Sequence, residues 1–269
     1  MSDDDARSES KPLPRARPRW RTQPVGRGLV PTAGLCLAFA LLTWLVQRPG
    51  GQSLDVWLDR NYHIQHIAFL LHDADRIGQR AVCLPVLAVV VAVLAWRHRS
   101  MRPVLLAVVA VLSINFVVLI LKVWLGRGAP LEHRPEFWIG GQMFPSGHTA
   151  NVIVVYGTCV YLIRHYGMAS VRVFRALVLV VVFLGCVMIC TSLTLHWHWF
   201  TDLIAGYLVG GAVLTMTIAV DGAVPFRSRR LVVAPPPSLP VDTADDRPQP
   251  LPQAPSEPPT VRPVSSSDS

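Results

Sequence analysis

The sequence is short of charge, of lysine and of pairable cysteine, and each shortage removes a class of protein. Only 16% of its 269 residues are charged against 51% hydrophobic, and mean hydropathy is +0.39, too apolar for an ordinary soluble domain. The apolar residues gather in long blocks rather than at an amphipathic period, so the bilayer is the natural solvent. Lysine occurs twice, at Lys11 and Lys122, among 25 basic residues. An arginine preference this strong makes Lys122 stand out. The five cysteines (Cys36, Cys83, Cys159, Cys186, Cys190) fall inside apolar runs, without the spacing of a zinc site or a disulfide framework. They read as small membrane-core residues. There is no His-x-x-x-His pair and no carboxylate-rich loop, so neither a metal nor another cofactor is expected.

What is present is a set of apolar spans with basic flanks. The formal net charge of +8 could suit nucleic acid, but the arginines sit beside apolar runs. That is the pattern of topology signals, and no nucleic-acid partner is expected. A helix crossing ~30 Å of hydrocarbon needs ~20 apolar residues. Six segments approach that length, at about Leu29–Val46, Val82–Trp96, Pro103–Leu121, Thr149–Ile163, Phe174–Thr191 and Leu203–Val220; the shorter ones must extend into their flanks. Seven basic residues precede the first span, and Arg97/Arg99/Arg102, Arg164/Arg172/Arg175 and Arg227/Arg229/Arg230 follow the second, fourth and sixth. If the spans alternate, all four groups lie on one side. The positive-inside rule makes that side cytoplasmic, with both termini there and loops 48–81, 122–148 and 192–202 facing outward.

Three regions follow. Residues 1–27 are a basic, proline-broken tail, 28–222 a membrane domain, and 223–269 a proline-rich tail that cannot bury enough apolar surface to fold. The first apolar run is too long for a signal peptide and reads as an uncleaved span. Residues 53–74 mix Trp57 and Tyr62 with Asp55, Asp59 and Arg60, which fits an amphipathic helix at the outer interface. Small residues around Gly206–Gly211 suit close helix packing, within one chain or between chains, and leave the oligomeric state open.

On this topology three polar clusters emerge on the outer side: Lys122-Val-Trp-Leu-Gly-Arg127, Phe144-Pro-Ser-Gly-His-Thr149 and His196-Trp-His198-Trp-Phe-Thr-Asp202. His198 and Asp202, four apart, share a helix face, so the carboxylate can fix one imidazole nitrogen and leave the other free to attack phosphorus. The alternative is a His and an Asp that only cap a helix mouth. Ser146-Gly147-His148 follows a proline and precedes an apolar run, which signals a helix start whose free amides attract phosphate oxygens. His148 is placed to protonate a leaving alkoxide; an ordinary Ser cap beside an interfacial His is the plainer reading. Lys122, helped by Arg127, supplies fixed positive charge for a phosphate, or else snorkels to headgroups.

Together, Lys122 with Gly126-Arg127, then Pro145-Ser146-Gly147-His148, then His198-x-x-x-Asp202 resemble the three signature motifs of the type 2 phosphatidic acid phosphatase superfamily, over about residues 29–220. The resemblance implies an all-α bundle of six transmembrane helices, of the fold shared with vanadium haloperoxidases. It implies His198 as nucleophile, Asp202 as its orienting carboxylate, His148 as acid, and Lys122 and Ser146 as phosphate ligands. Two positions depart from the family pattern. Its first motif ends in Arg-Pro where this chain has Ala129-Pro130, and its third carries an arginine six residues before the nucleophile, here Ser192. Each absent guanidinium removes a bidentate phosphate contact. Arg127, where many members carry an additional arginine, is the expected substitute, ahead of Arg134. The expected substrate is an outward-facing lipid phosphate such as phosphatidic acid or a polyprenyl pyrophosphate. The alternatives are a phosphotransferase resembling the sphingolipid-synthase branch and a non-catalytic lipid-binding member.

Overall fold

The computed structural model describes residues 26–61 and 73–224. The expectations for both tails, and for residues 62–72 of the interfacial segment, lie outside that range. Among the described residues every regular element is helical: α1 (Gly26–Val46), α2 (Ser53–Asn61), α3 (Arg80–His98), α4 (Arg102–Leu125), α5 (Gly147–Asn151), α6 (Gly157–His165), α7 (Val171–Thr194) and α8 (Phe200–Ala223). A π-helical turn, Val152–Tyr156, joins α5 to α6 without a break, making one rod over 147–165. Helices α1, α3, α4, α7 and α8 are each long and apolar enough to cross a membrane. The all-helical expectation is borne out, and five of the six expected spans meet that measure. The remaining one, expected at 149–163, lies within the composite rod.

Burial runs opposite to that of a protein folded in water. Leu37, Leu112, Leu179 and Phe183 are 64–70% exposed, whereas Asp75, Arg127 and Asp202 are fully buried. Hydrocarbon solvates the first group at no cost, and the second must be paired inside the bundle. The helix ends follow local rules. Pro103 sits in the first turn of α4, where its missing N–H costs nothing. Gly126, with φ of 51°, closes that helix in the left-handed conformation and turns the chain toward Arg127. Ser170 caps α7, its Oγ accepting the Val173 N–H at 3.3 Å.

Helix α8 is the centre, packed against α1, α4 and the rod. Its small residues decide how close the rod comes. A Cβ on Gly206 would lie 2.6 Å from the Ser146 carbonyl oxygen, and one on Gly210 would lie 3.0 Å from that of Ala150. The two backbones therefore touch, and the Ser146 N–H donates to the Asp202 carbonyl at 2.9 Å. Gly211 instead faces Leu35 of α1, so the small-residue stripe serves packing within the chain. Ala110, Ile114 and Val118 of α4 close the interior against Ala150, Val154 and Val209. The start of the rod is thereby held beside the start of α8, which brings two of the sequence motifs together.

Candidate active site

The second and third motifs meet the first in a cavity of about 800 Å³ at one end of the bundle. Helix α4 contributes Asn115, Val118 and Lys122, which share a face at helical spacing. The rod contributes Gly147, His148 and Asn151, and the segment ahead of α8 contributes His196 and His198. Lys122 donates from Nζ to the Gln142 carbonyl at 2.6 Å, which holds its ammonium at the wall. A second cavity, of about 690 Å³, runs along α1, α4 and α8 and is lined by apolar residues such as Phe39, Val109 and Val213; neither His148 nor His198 borders it.

His198 and Asp202 pair, though not on one helix face as the spacing suggested. Helix α8 begins at Phe200, so His198 precedes it and Asp202 reaches back from the first turn. Asp202 Oδ2 accepts the Trp199 N–H at 3.1 Å and lies 3.4 Å from His198 Nδ1. The Trp199 indole N–H donates to the Gly128 carbonyl at 2.9 Å and pins this segment to the loop after α4. Nδ1 is thus turned to the carboxylate, which leaves Nε2 as the nitrogen available to a substrate.

Two expected phosphate ligands stand elsewhere. Arg127 is fully buried, donating to Asp202 Oδ1 at 2.5 Å, Asp55 Oδ2 at 2.6 Å, Thr201 Oγ1 at 2.7 Å and the Pro135 carbonyl at 3.1 Å. Two carboxylates outcompete an outward position, because a guanidinium this deep must be matched in charge and geometry. Arg127 therefore backs Asp202 and does not border the cavity. Ser146 is also fully buried, and its Oγ is taken up by the Thr149 N–H at 3.5 Å and hydroxyl at 3.2 Å, so it acts as the helix cap. Arg134 is exposed and outside the cavity lining, while Ala129 borders the cavity. Ser192 is buried, its hydroxyl without a hydrogen-bond partner among the described residues.

Several neighbours were not legible in the motifs. Asp55 of α2 accepts the Thr201 N–H at 2.9 Å and its hydroxyl at 2.6 Å as well as Arg127, so α2 braces the site from below. Asp59, one turn on, lies 2.7 Å from His196 Nδ1. Asp75 is fully buried, 4.0 Å from His148 Nε2, and accepts from Gln79 at 3.0 Å. His148 sits ahead of the expected span 149–163. Burial lowers its pKa below the ordinary value, Asp75 opposes this, and His198, Lys122 and Arg80 push it further down. The arrangement supplies an oriented imidazole, a second imidazole of adjustable protonation and cationic side chains around one space, the components of phosphoryl transfer through nitrogen.

Residues 103–224 match the family model of the PAP2 superfamily. Among solved structures, the first transmembrane PAP2-type phosphatidylglycerolphosphate phosphatase from Bacillus subtilis is similar, with a TM-score of 0.65 and 18% identity over 73% of this chain and 98% of that one. At that identity the likeness is one of fold. No curated protein sequence matches. The resemblance seen in the motifs is borne out by the family match over residues 103–224. Lys122, His148, His198 and Asp202 all fall within the matched residues, whereas Asp55, Asp75 and Arg80 lie outside them.

Proposed function

We propose that this chain is an integral membrane phosphatase that hydrolyses a lipid phosphate or pyrophosphate through a phosphohistidine. The observation that carries the reading is that His148, His198 and Lys122 border one cavity while Asp202 holds His198 from behind. His198 Nε2 attacks phosphorus; the P–O bond to the lipid breaks as the P–N bond forms, and His148 gives its proton to the departing oxygen. His148, now neutral, takes a proton from water, which displaces Nε2 and releases inorganic phosphate. Asp202 keeps the Nδ1 proton in place and offsets the positive charge on the imidazole. Lys122 stabilises the charge on the transferring group. The similar Bacillus subtilis protein is described as acting on phosphatidylglycerolphosphate, also a lipid phosphate monoester, which favours this substrate class.

Within the rod, residues 149–163 are read as the sixth span. With the arginine bias of the loops, this reading favours both termini in the cytoplasm and the cavity on the extracytoplasmic face of the cell membrane. Trp44, Trp57, Trp124 and Trp138 are each more than half exposed, which suits residues at a headgroup interface.

The test is release of inorganic phosphate from phosphatidic acid and from an isoprenoid pyrophosphate by protein purified in detergent without added metal. His198→Ala should lower the rate by at least about 10³-fold and abolish an acid-labile phosphoenzyme. Exchange of a phosphorylated headgroup between lipids without free phosphate would replace hydrolysis with transfer. Silence on both substrates, with no trapped phosphoenzyme, would sink the enzymatic reading. Orientation is checked by a cysteine placed in 165–172, which should resist an impermeant thiol reagent outside intact cells.

A further inference from the structure

We propose that Arg80 is the phosphate-binding guanidinium of this site, replacing the arginines that Ala129 and Ser192 leave out; the assignment rests on the phosphatase reading above. The argument begins with where positive charge can come from. A phosphoryl group in transfer spreads its negative charge over three oxygens, and a planar guanidinium matches two of them at once in a way an ammonium cannot. Ala129 borders the cavity with no charge to offer, Ser192 is buried, Arg134 stands outside and Arg127 is committed to Asp55 and Asp202. The fixed cations bordering the cavity are Lys122 and Arg80.

Arg80 reaches the cavity through local geometry. It is the first residue of α3, preceded by a 3-10 turn ending at Gly78. A Cβ on Gly78 would lie 3.1 Å from His148 Cβ and 3.2 Å from the His148 carbonyl oxygen, so only a residue without a side chain lets this turn settle against the proposed acid. Gly78, Gln79, Arg80 and Ala81 all line the wall as a result. The Arg80 side chain is exposed, and its charge is felt at His148. The nearby buried Asp75 is engaged by Gln79. Arg80 thus borders the cavity from α3 and Lys122 from α4, with His148 and His198 lining the same space.

The experiment uses full-length protein in detergent, with inorganic phosphate as the probe of the site. Arg80→Gln should lower kcat/KM on phosphatidic acid by about 100-fold and raise the inhibition constant of inorganic phosphate at least about tenfold, the range of one lost bidentate contact. Arg80→Lys should recover part of the phosphate affinity, and adding Ala129→Arg to Arg80→Gln should recover part of both. A fall in kcat/KM with an unchanged phosphate inhibition constant would mark a structural role and overturn the proposal, as would Arg80→Gln with wild-type kinetics. If the wild type hydrolyses no lipid yet gains thermal stability from inorganic phosphate in an Arg80-dependent way, the phosphatase reading fails and the Arg80 assignment stands. Arg80-independent stabilisation would overturn the assignment.

Discussion

Helices α4 and α8 run antiparallel and are tied at both ends by an arginine–aspartate pair, yet the two ends are built for different work. At the end remote from the cavity, called the inner end, Arg102 Nε meets Asp221 Oδ1 at 2.7 Å with the pair 20% and 5% exposed, and the Tyr161 hydroxyl donates to Asp221 Oδ2 at 2.6 Å. At the cavity end, called the outer end, Arg127 meets Asp202 at 2.5 Å and Asp55 at 2.6 Å, with all three side chains fully buried. The chemistry of the clamps is the same; what differs is the third partner. Asp221 turns its second oxygen to a phenol, which takes up no charge in phosphoryl transfer. Asp202 turns its second oxygen to His198, and one guanidinium there faces two carboxylates. In the proposed mechanism the imidazole becomes cationic on phosphorylation, and that charge would face the carboxylate of Asp202. On that reading a clamp becomes catalytic support when its aspartate also holds an imidazole.

The largest break in this comparison comes from Arg127→Met. It removes the guanidinium and leaves Asp55 and Asp202 buried without a cation, a loss of about 3–5 kcal/mol. Thermal inactivation in detergent should shift well below that of the wild type. Molecules that remain folded should show kcat lowered by about 10²–10³-fold, since Asp202 no longer holds one orientation toward His198. Adding Asp55→Asn should restore stability by relieving one unpaired charge, without restoring kcat. If kcat per folded molecule survives Arg127→Met, the outer clamp is only a brace, no different from the inner one.

A smaller effect is expected at Asp75, the buried carboxylate 4.0 Å from His148 Nε2. Asp75 raises the His148 pKa against burial and the neighbouring cations. Removing its charge therefore lowers that pKa, and the protonated acid is lost at a lower pH. For Asp75→Asn, the alkaline arm of kcat/KM on an alkyl phosphate should move to lower pH, giving less activity above it. A substrate with a good leaving group, such as p-nitrophenyl phosphate, should be nearly indifferent, because it needs little protonation. An alkaline arm unmoved on the alkyl substrate would separate Asp75 from the acid and leave the outer end with one functional carboxylate.

Legibility in the sequence followed the range of the contacts. The placement of Lys122, His148 and His198 could be read because local motifs carry them, and the three border one cavity with Asp202 buried behind His198. The pairing of His198 with Asp202 was also readable, though capping at the start of α8 produces it rather than a shared helix face. Arg127 was misplaced because its decisive partner, Asp55, is 72 residues earlier in a segment that reads as an interfacial helix. Ser146 was misplaced for a nearer reason: the signal that marks a helix cap also marks a phosphate ligand, and the buried Oγ is used by Thr149. Arg80 carries no local motif, since nothing in the sequence near it signals that Gly78 packs on His148. Five spans were plain from apolar length. The rod 147–165 divides into α5, a π-turn and α6 and is enclosed by its neighbours, with Ala150, Val152, Val154 and Val155 at 0–1% exposure, so its role in the bundle is central rather than lipid-facing.

The smallest effect on chemistry should come from the inner clamp, and there the comparison meets its strictest control. Asp221→Asn keeps shape and an acceptor oxygen but removes the charge opposite Arg102. Arg102 also donates to the Asp221 and Val224 carbonyls, and its side chain is one-fifth exposed, so water and backbone compensate in part. The expected cost is about 1–2 kcal/mol, below that of a fully buried pair. Heat inactivation should shift modestly while kcat and KM of the folded enzyme stay within about twofold of wild type. The reason is distance in function rather than in strength: α8 connects Asp221 to Asp202 as a rigid rod, and loosening its inner end leaves Trp199, Arg127 and Asp55 holding the outer one. A fall in kcat comparable to that of Arg127→Met would mean that the α4–α8 pair works as a single lever, and that the difference between its ends is one of position alone.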